Sequence, residues 1–315
     1  MKGIFAPRGL LAAIAMVLVL GITPAAEGQK PVEPKIESLT TKDGVELKVT
    51  YYASTEGKNA TPVILLPDLK DSRSVVDSLA RHMANPDPKQ GDTHKSFAVV
   101  AVDLRGHGDS TRQLLQGGER RTVDAAKLTR DDLAAMVQSD MEAVRRFLVN
   151  ENDEGRLNIN RLSIVGAGLG ATVAVNWAAV DWSAPPLAVG KQGQDVKALV
   201  LLSPAWKNKG LTLQNALRHP GVRQEIAFCM LYGDRDRQTQ ADVKRIEKQL
   251  ERYHPAPKNP SPDEPHDLVA LGAPTGLQGT KLLKEGGVEA ENTIIKFLVD
   301  HVQSKDFEWT ERRRR

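Results

Sequence analysis

The segment Leu162-Ser163-Ile164-Val165-Gly166-Ala167-Gly168-Leu169-Gly170-Ala171-Thr172 constrains this chain more than any other. A short apolar run enters a turn of small residues, which opens an apolar stretch continuing to Trp182. Small residues are needed there because a strand and the helix that follows it cross at backbone distance. A strand–turn–helix unit of this kind calls for parallel neighbours, and the rest of the chain supplies them. Val63–Leu66 reads as a strand buried on both faces and Phe97–Val102 as a second buried strand, with further strands at Leu199–Leu202, Ile226–Leu231 and Leu268–Leu271. Helical periodicity predicts helices over Ser74–Met83, Asp131–Leu148, Leu169–Trp182, Gln240–Tyr253 and Glu289–Val302. Ile36 to Ala53 reads as an antiparallel hairpin turning at Lys42-Asp43-Gly44. The expected fold class is α/β: a doubly wound, mostly parallel sheet with an N-terminal antiparallel hairpin. The Pro- and Gly-rich stretches 85–92, 183–193 and 255–265 read as surface loops.

With 315 residues and no internal repeat, the chain supports one sizeable domain, expected over 36–303. The formal net charge of +3 is too small to argue for nucleic acid or an anionic membrane as partner. Ahead of the domain, Lys2 and Arg8 precede the apolar stretch Leu10–Leu20, followed by Gly21, Pro24, Ala25 and Ala26. This is the pattern of a signal peptide over 1–28, cut after Gly28, with Ala26 a weaker position. Residues 29–35 read as a linker. The apolar run is too short to span a bilayer comfortably, so no stable membrane span is expected after cleavage. Export to a secreted or periplasmic location follows as the expectation. The single cysteine, Cys229, lies in an apolar run and reads as a buried, inert thiol. The basic tail 304–315, ending Arg312-Arg313-Arg314-Arg315, reads as a frayed, solvated end.

In a doubly wound sheet, ligands meet the loops at the carboxyl ends of the strands. Three of these loops carry a recognisable pattern: Asp103-Leu104-Arg105-Gly106-His107-Gly108-Asp109-Ser110, the small-residue turn at 166–170, and Gly233-Asp234-Arg235-Asp236. Together they resemble the α/β-hydrolase family, with its D-x-R-G-H-G-x-S loop, its nucleophile elbow G-x-S-x-G, and its G-x-x-D. The resemblance covers roughly residues 36 to 303.

It implies that Gly168 stands where the family places its nucleophile, so the turn is easy to form and chemically empty. Asp236 takes the place of the triad acid. The loop after the last strand, Gly272 to Gly279, holds no histidine, and Gln278 is the nearest equivalent. An amide cannot take a proton near neutral pH, so the general base is missing. The family's usual His-Gly after the third strand is replaced by Pro67-Asp68. A carboxylate at Asp68 would repel a developing oxyanion. The backbone N–H groups of Leu69 and Leu169 remain as an anion-binding pair. His107 reads as structural, with Asp103 and Arg105 available to pair. His82, His94, His219, His254, His266 and His301 lack metal-ligand spacing and read as surface residues, so no metal site is expected.

These features point to an exported α/β-hydrolase-fold protein without hydrolytic activity that binds a small molecule or a protein. No catalytic residue and no cofactor are expected. Two alternatives stay open. One is an active hydrolase with relocated chemistry, for which Ser203 and Ser72 are the available hydroxyls. The other is a dinucleotide-binding protein, because Gly166, Gly168 and Ala171 satisfy G-x-G-x-x-A, although no strand ending in Asp or Glu follows at the required distance.

Overall fold

A computed structural model describes residues 31–185, 187, 190–257, 265–285 and 287–312. The expected signal peptide, residues 29 and 30 of the linker, parts of the loops 183–193 and 255–265, and Arg313 to Arg315 lie outside the described residues. Twelve strands are formed by the described residues: β1 Lys35–Thr40, β2 Glu46–Tyr52, β3 Pro62–Leu66, β4 Ala98–Val102, β5 Arg112–Leu114, β6 Arg120–Thr122, β7 Leu162–Ala167, β8 Val196–Leu202, β9 Lys207–Asn208, β10 Leu211–Thr212, β11 Ala227–Gly233 and β12 Leu268–Ala273. The α-helices are α1 Asp77–Ala84, α2 Arg130–Ala135, α3 Met141–Asp153, α4 Leu169–Trp182, α5 Pro220–Glu225, α6 Arg237–Leu250, α7 Lys281–Glu285 and α8 Gly287–Leu298.

Eight strands build one sheet in the order β1-β2-β4-β3-β7-β8-β11-β12. β1 and β2 pair antiparallel, β2 meets β4 antiparallel, and the remaining neighbours are parallel. The expected architecture is the one found. Its strands read as unbroken apolar runs because both faces are covered. Ile64, Leu66, Val100 and Val102 face one core with Leu133, Met141, Val173 and Trp177; Val63, Leu65, Val99 and Ala101 face the other with Leu79, Met83, Ile294 and Leu298. The strand order reverses between β3 and β7, so the loops after these two strands adjoin at the switch point where such sheets receive ligands.

Three expectations need correction. The helix expected over Asp131–Leu148 is interrupted by a π turn at Met136–Asp140. Periodicity could not anticipate it, because its cause is tertiary: the turn ends on the fully buried Asp140, whose carboxylate takes the guanidinium of Arg105 at 2.6 Å. For the same reason Asp103 and Arg105 do not pair. Arg105 bridges Asp140 and Asp43, whereas Asp103 accepts from Arg73 and from the Asp109 amide. Burial works against the Arg105 charge, but hydrogen bonds to Asp43 and Asp140 outweigh it and hold its pKa above the ordinary value.

The third correction is the tail. It does not fray before Arg312. Side-chain amides of Asn152, Asn158 and Asn160 donate to the backbone carbonyls of Thr310, Phe307 and Glu308 at 3.0, 2.7 and 2.6 Å. Trp309 donates its indole N–H to Leu157 O at 3.2 Å, with the Lys58 ammonium 3.8 Å from its ring centre. The Arg312 side chain is buried and reaches the fully buried Asp195. The charged run gives no sign of this, because the counter-ion of Arg312 lies 117 positions away in sequence. Arg312→Ala should lower the free energy of unfolding by on the order of 2 kcal/mol, because it removes a charge-assisted bond to a buried carboxylate. The urea midpoint measures this, and an unchanged midpoint would show that the tail is not anchored.

Candidate functional site

The site at the switch point is assembled by β3, β7, β8, β11 and the loops that leave them. β7 ends at Ala167, and Gly168 makes the turn into α4 with φ +47°, a conformation that favours glycine. The turn is fastened by the Gly168 amide, which donates to Leu202 O at 3.0 Å. The elbow turn is therefore present, as the spacing predicts, and its centre has no side chain.

That space is filled from another loop. A Cβ built on Gly168 would lie 2.0 Å from Asp68 Oδ1 and 2.3 Å from Oδ2. Asp68, two residues beyond β3, thus lays its carboxylate over the α-carbon of residue 168. Its Oδ1 accepts two backbone hydrogen bonds, from Leu69 N at 2.6 Å and from Leu169 N at 2.8 Å. Leu69 and Leu169 supply the converging N–H pair that the sequence predicts, and the anion they hold is the protein's own carboxylate. Both donors and acceptor are well suited: the bonds are charge-assisted, and the Leu169 amide opens a 14-residue helix whose dipole favours negative charge. The other oxygen is crowded from the opposite side, where a Cβ on Gly279 would stand 2.7 Å from Oδ2.

Gln278, the nearest equivalent to the family's histidine on the sequence reading, is tied into the loops around it. Its Oε1 accepts from Ser203 Oγ at 2.5 Å and from Gly233 N at 3.4 Å, and its Nε2 donates to Gly233 O at 2.8 Å. Ser203 sits at the end of β8 with φ +50° and accepts from Gly279 N at 2.9 Å. Every polar group of this set is committed to a neighbour. The Ser203 hydroxyl faces an amide oxygen, which is too weak a base to activate it. Ser72 bonds Ser74 Oγ at 2.8 Å. Asp236 is the N-cap of α6, accepting from Thr239 N at 2.7 Å, and the Thr239 amide and hydroxyl hold its carboxyl below the usual range. The sequence signal for that role was Asp followed three residues later by Thr at a helix start.

None of the seven histidines stands at this site. His107 is buried in its loop, with Nδ1 2.9 Å from Arg105 O. His82 lies between Asp92 and Glu291, at 3.0 and 3.2 Å. His94 and His254 are buried rather than on the surface, His94 beside Phe97 and His254 against Asp267 at 2.9 Å. His266 bonds His254 O, and His301 stacks on Phe297. His219 Nε2 lies 3.2 Å from Ser183 Oγ, but at the far end of α4 from the elbow, and that hydroxyl already donates to Ala179 O at 2.6 Å. The dinucleotide reading also meets an obstacle: the Leu169 amide is taken by Asp68, and a Cβ on Gly170 would stand 2.3 Å from Leu66 O. A pyrophosphate there would face a carboxylate across a closed backbone contact.

Sequence reasoning placed Gly168, Gln278, Asp68, Leu69 and Leu169 in one site and missed the Ser203–Gln278 bond. It also missed that Asp68 fills the cradle it was expected to disturb. Gly168→Ala should cost about 3 kcal/mol, from strain at positive φ plus the collision with Asp68. In an Asp68→Gly background the same change should cost at least about 1 kcal/mol less. Chemical denaturation of the four proteins measures this coupling; additive costs would place Asp68 elsewhere.

The sequence profile of the alpha/beta hydrolase family matches residues 73–290. An esterase from Pyrococcus furiosus aligns with a TM-score of 0.56 at 15% identity, over 86% of this chain and 92% of that one. A dienelactone hydrolase from Anabaena variabilis aligns with a TM-score of 0.52 at 14% identity, over 87% of this chain and 100% of that one. At these identities the likeness is one of fold. No curated protein matches the sequence.

Proposed function

The chain belongs to the alpha/beta hydrolase family, and from that premise we propose that it is an exported, catalytically silent member that acts as a binding or scaffold protein. One observation carries the reading: the Asp68 carboxylate sits on the two backbone N–H groups that an acyl-transfer reaction would need for its oxyanion. Hydrolysis of an ester requires a nucleophile, a base and donors aimed at developing negative charge. Gly168 supplies no nucleophile, Gln278 supplies no base, and the donors are taken. Any oxyanion would first have to displace a tethered carboxylate held by two charge-assisted bonds, each worth about 1.5–3 kcal/mol. The bound carboxylate would also repel it at close range.

Export rests on the charged and apolar N-terminal pattern of residues 1–28. Consistent with a protein not embedded through its domain, no described helix is long and apolar enough to cross a membrane. The purified protein should hydrolyse p-nitrophenyl acetate no faster than a heat-denatured control. Gly168→Ser alone should not restore turnover, and Gly168→Ser with Gln278→His should do so only when Asp68→Gly is added. Ester turnover by the unmodified chain, with fluorophosphonate labelling of Ser203 or Ser72, would overturn the reading.

A further inference from the structure

The loop that carries Gln278 has a second face. Opposite the elbow it closes a cavity of about 430 Å3 at the carboxyl ends of β11 and β12, beneath α7 and α8. We propose that this cavity is a ligand site, and that it takes a small, chiefly apolar molecule with a neutral or cationic head group.

Its size lies within the range of about 300–1,000 Å3 common for small-molecule sites, and its walls are of the usual kind. Leu231, Leu271, Leu277 and Leu282 are among its lining residues. The polar complement is small and one-sided. Among the described lining residues Glu289 is the charged group, it is exposed, and none is Lys or Arg. Tyr232 also contributes to the lining. Thr293 is already committed, donating to Glu289 O at 2.9 Å. A carboxylate or phosphate would meet Glu289 without compensation, whereas an ammonium or hydroxyl would not.

The wall is preformed. Asp234 N donates to Ala273 O at 2.9 Å, Arg235 N to Thr275 O at 3.1 Å, and Gln278 clasps Gly233 from both ends of its amide. Little ordering entropy is then lost when a ligand enters. The inference does not rest on the elbow being inactive, since the loop separates the two places.

The test uses the full chain with labelled leucine methyl groups, titrated separately with hexylamine, hexan-1-ol and hexanoate. Hexylamine and hexan-1-ol should give saturable shifts at Leu231, Leu277 and Leu282, with hexanoate weaker by about tenfold or more. Ala290→Phe, which fills the cavity, should abolish these shifts while the rest of the spectrum holds; Thr293→Phe serves if Ala290→Phe does not fold. Glu289→Gln should bring hexanoate up to the affinity of hexan-1-ol. Shifts that never saturate, binding that survives the filling variants, or equal affinity for hexanoate would overturn the proposal. So would sedimentation as a dimer that covers Leu271 at the β12 edge, because a second copy would then be the occupant.

Discussion

The structure of the site depends on where one carboxylate goes. Asp68 lies beyond β3 and Gly168 beyond β7, and these strands adjoin where the sheet reverses its order. The fold therefore brings them together whether or not they are compatible. They are compatible because residue 168 has no Cβ. Any side chain there would collide with Asp68, and any reaction there would need the amides that Asp68 holds. The missing Cβ at residue 168 and the occupation of the cradle are thus two sides of one packing arrangement. The same space holds a side chain from one loop or from the other, not from both.

A second latch repeats the logic a few residues away. Where a base would stand, Gln278 holds β11 through Gly233 and β8 through Ser203. An imidazole offers one donor and one acceptor, and so cannot make all three of the bonds made by this amide. This amide exchanges no proton and fixes a loop. That loop in turn forms a wall of the cavity under α8, so rigidity beside the elbow is passed to a different surface.

Most of the architecture was legible because both faces of the sheet are covered, and runs such as Val63–Leu66 and Phe97–Val102 have no other reason to be continuously apolar. The elbow was legible because close strand–helix crossing demands small residues in a fixed order. What escaped was set by distant partners. The π turn at Asp140, the exchange of partners between Asp103 and Arg105, and the docking of Arg312 on Asp195 each depend on a charge far away in sequence. The role of Asp68 escaped for a similar reason: its bond to Leu69 is local, but the bond to Leu169 spans 101 positions. His94 and His254 were misplaced because one residue type serves core and surface alike.

The central claim, that Asp68 occupies the anion cradle, is tested most directly by the backbone amide protons of Leu69 and Leu169. Hydrogen-bonded to one carboxylate oxygen, both should resonate well downfield, and both should move upfield together in Asp68→Ala. If the Leu169 proton stays in place in that variant, the carboxylate is not on the helix terminus and the account of a filled cradle fails.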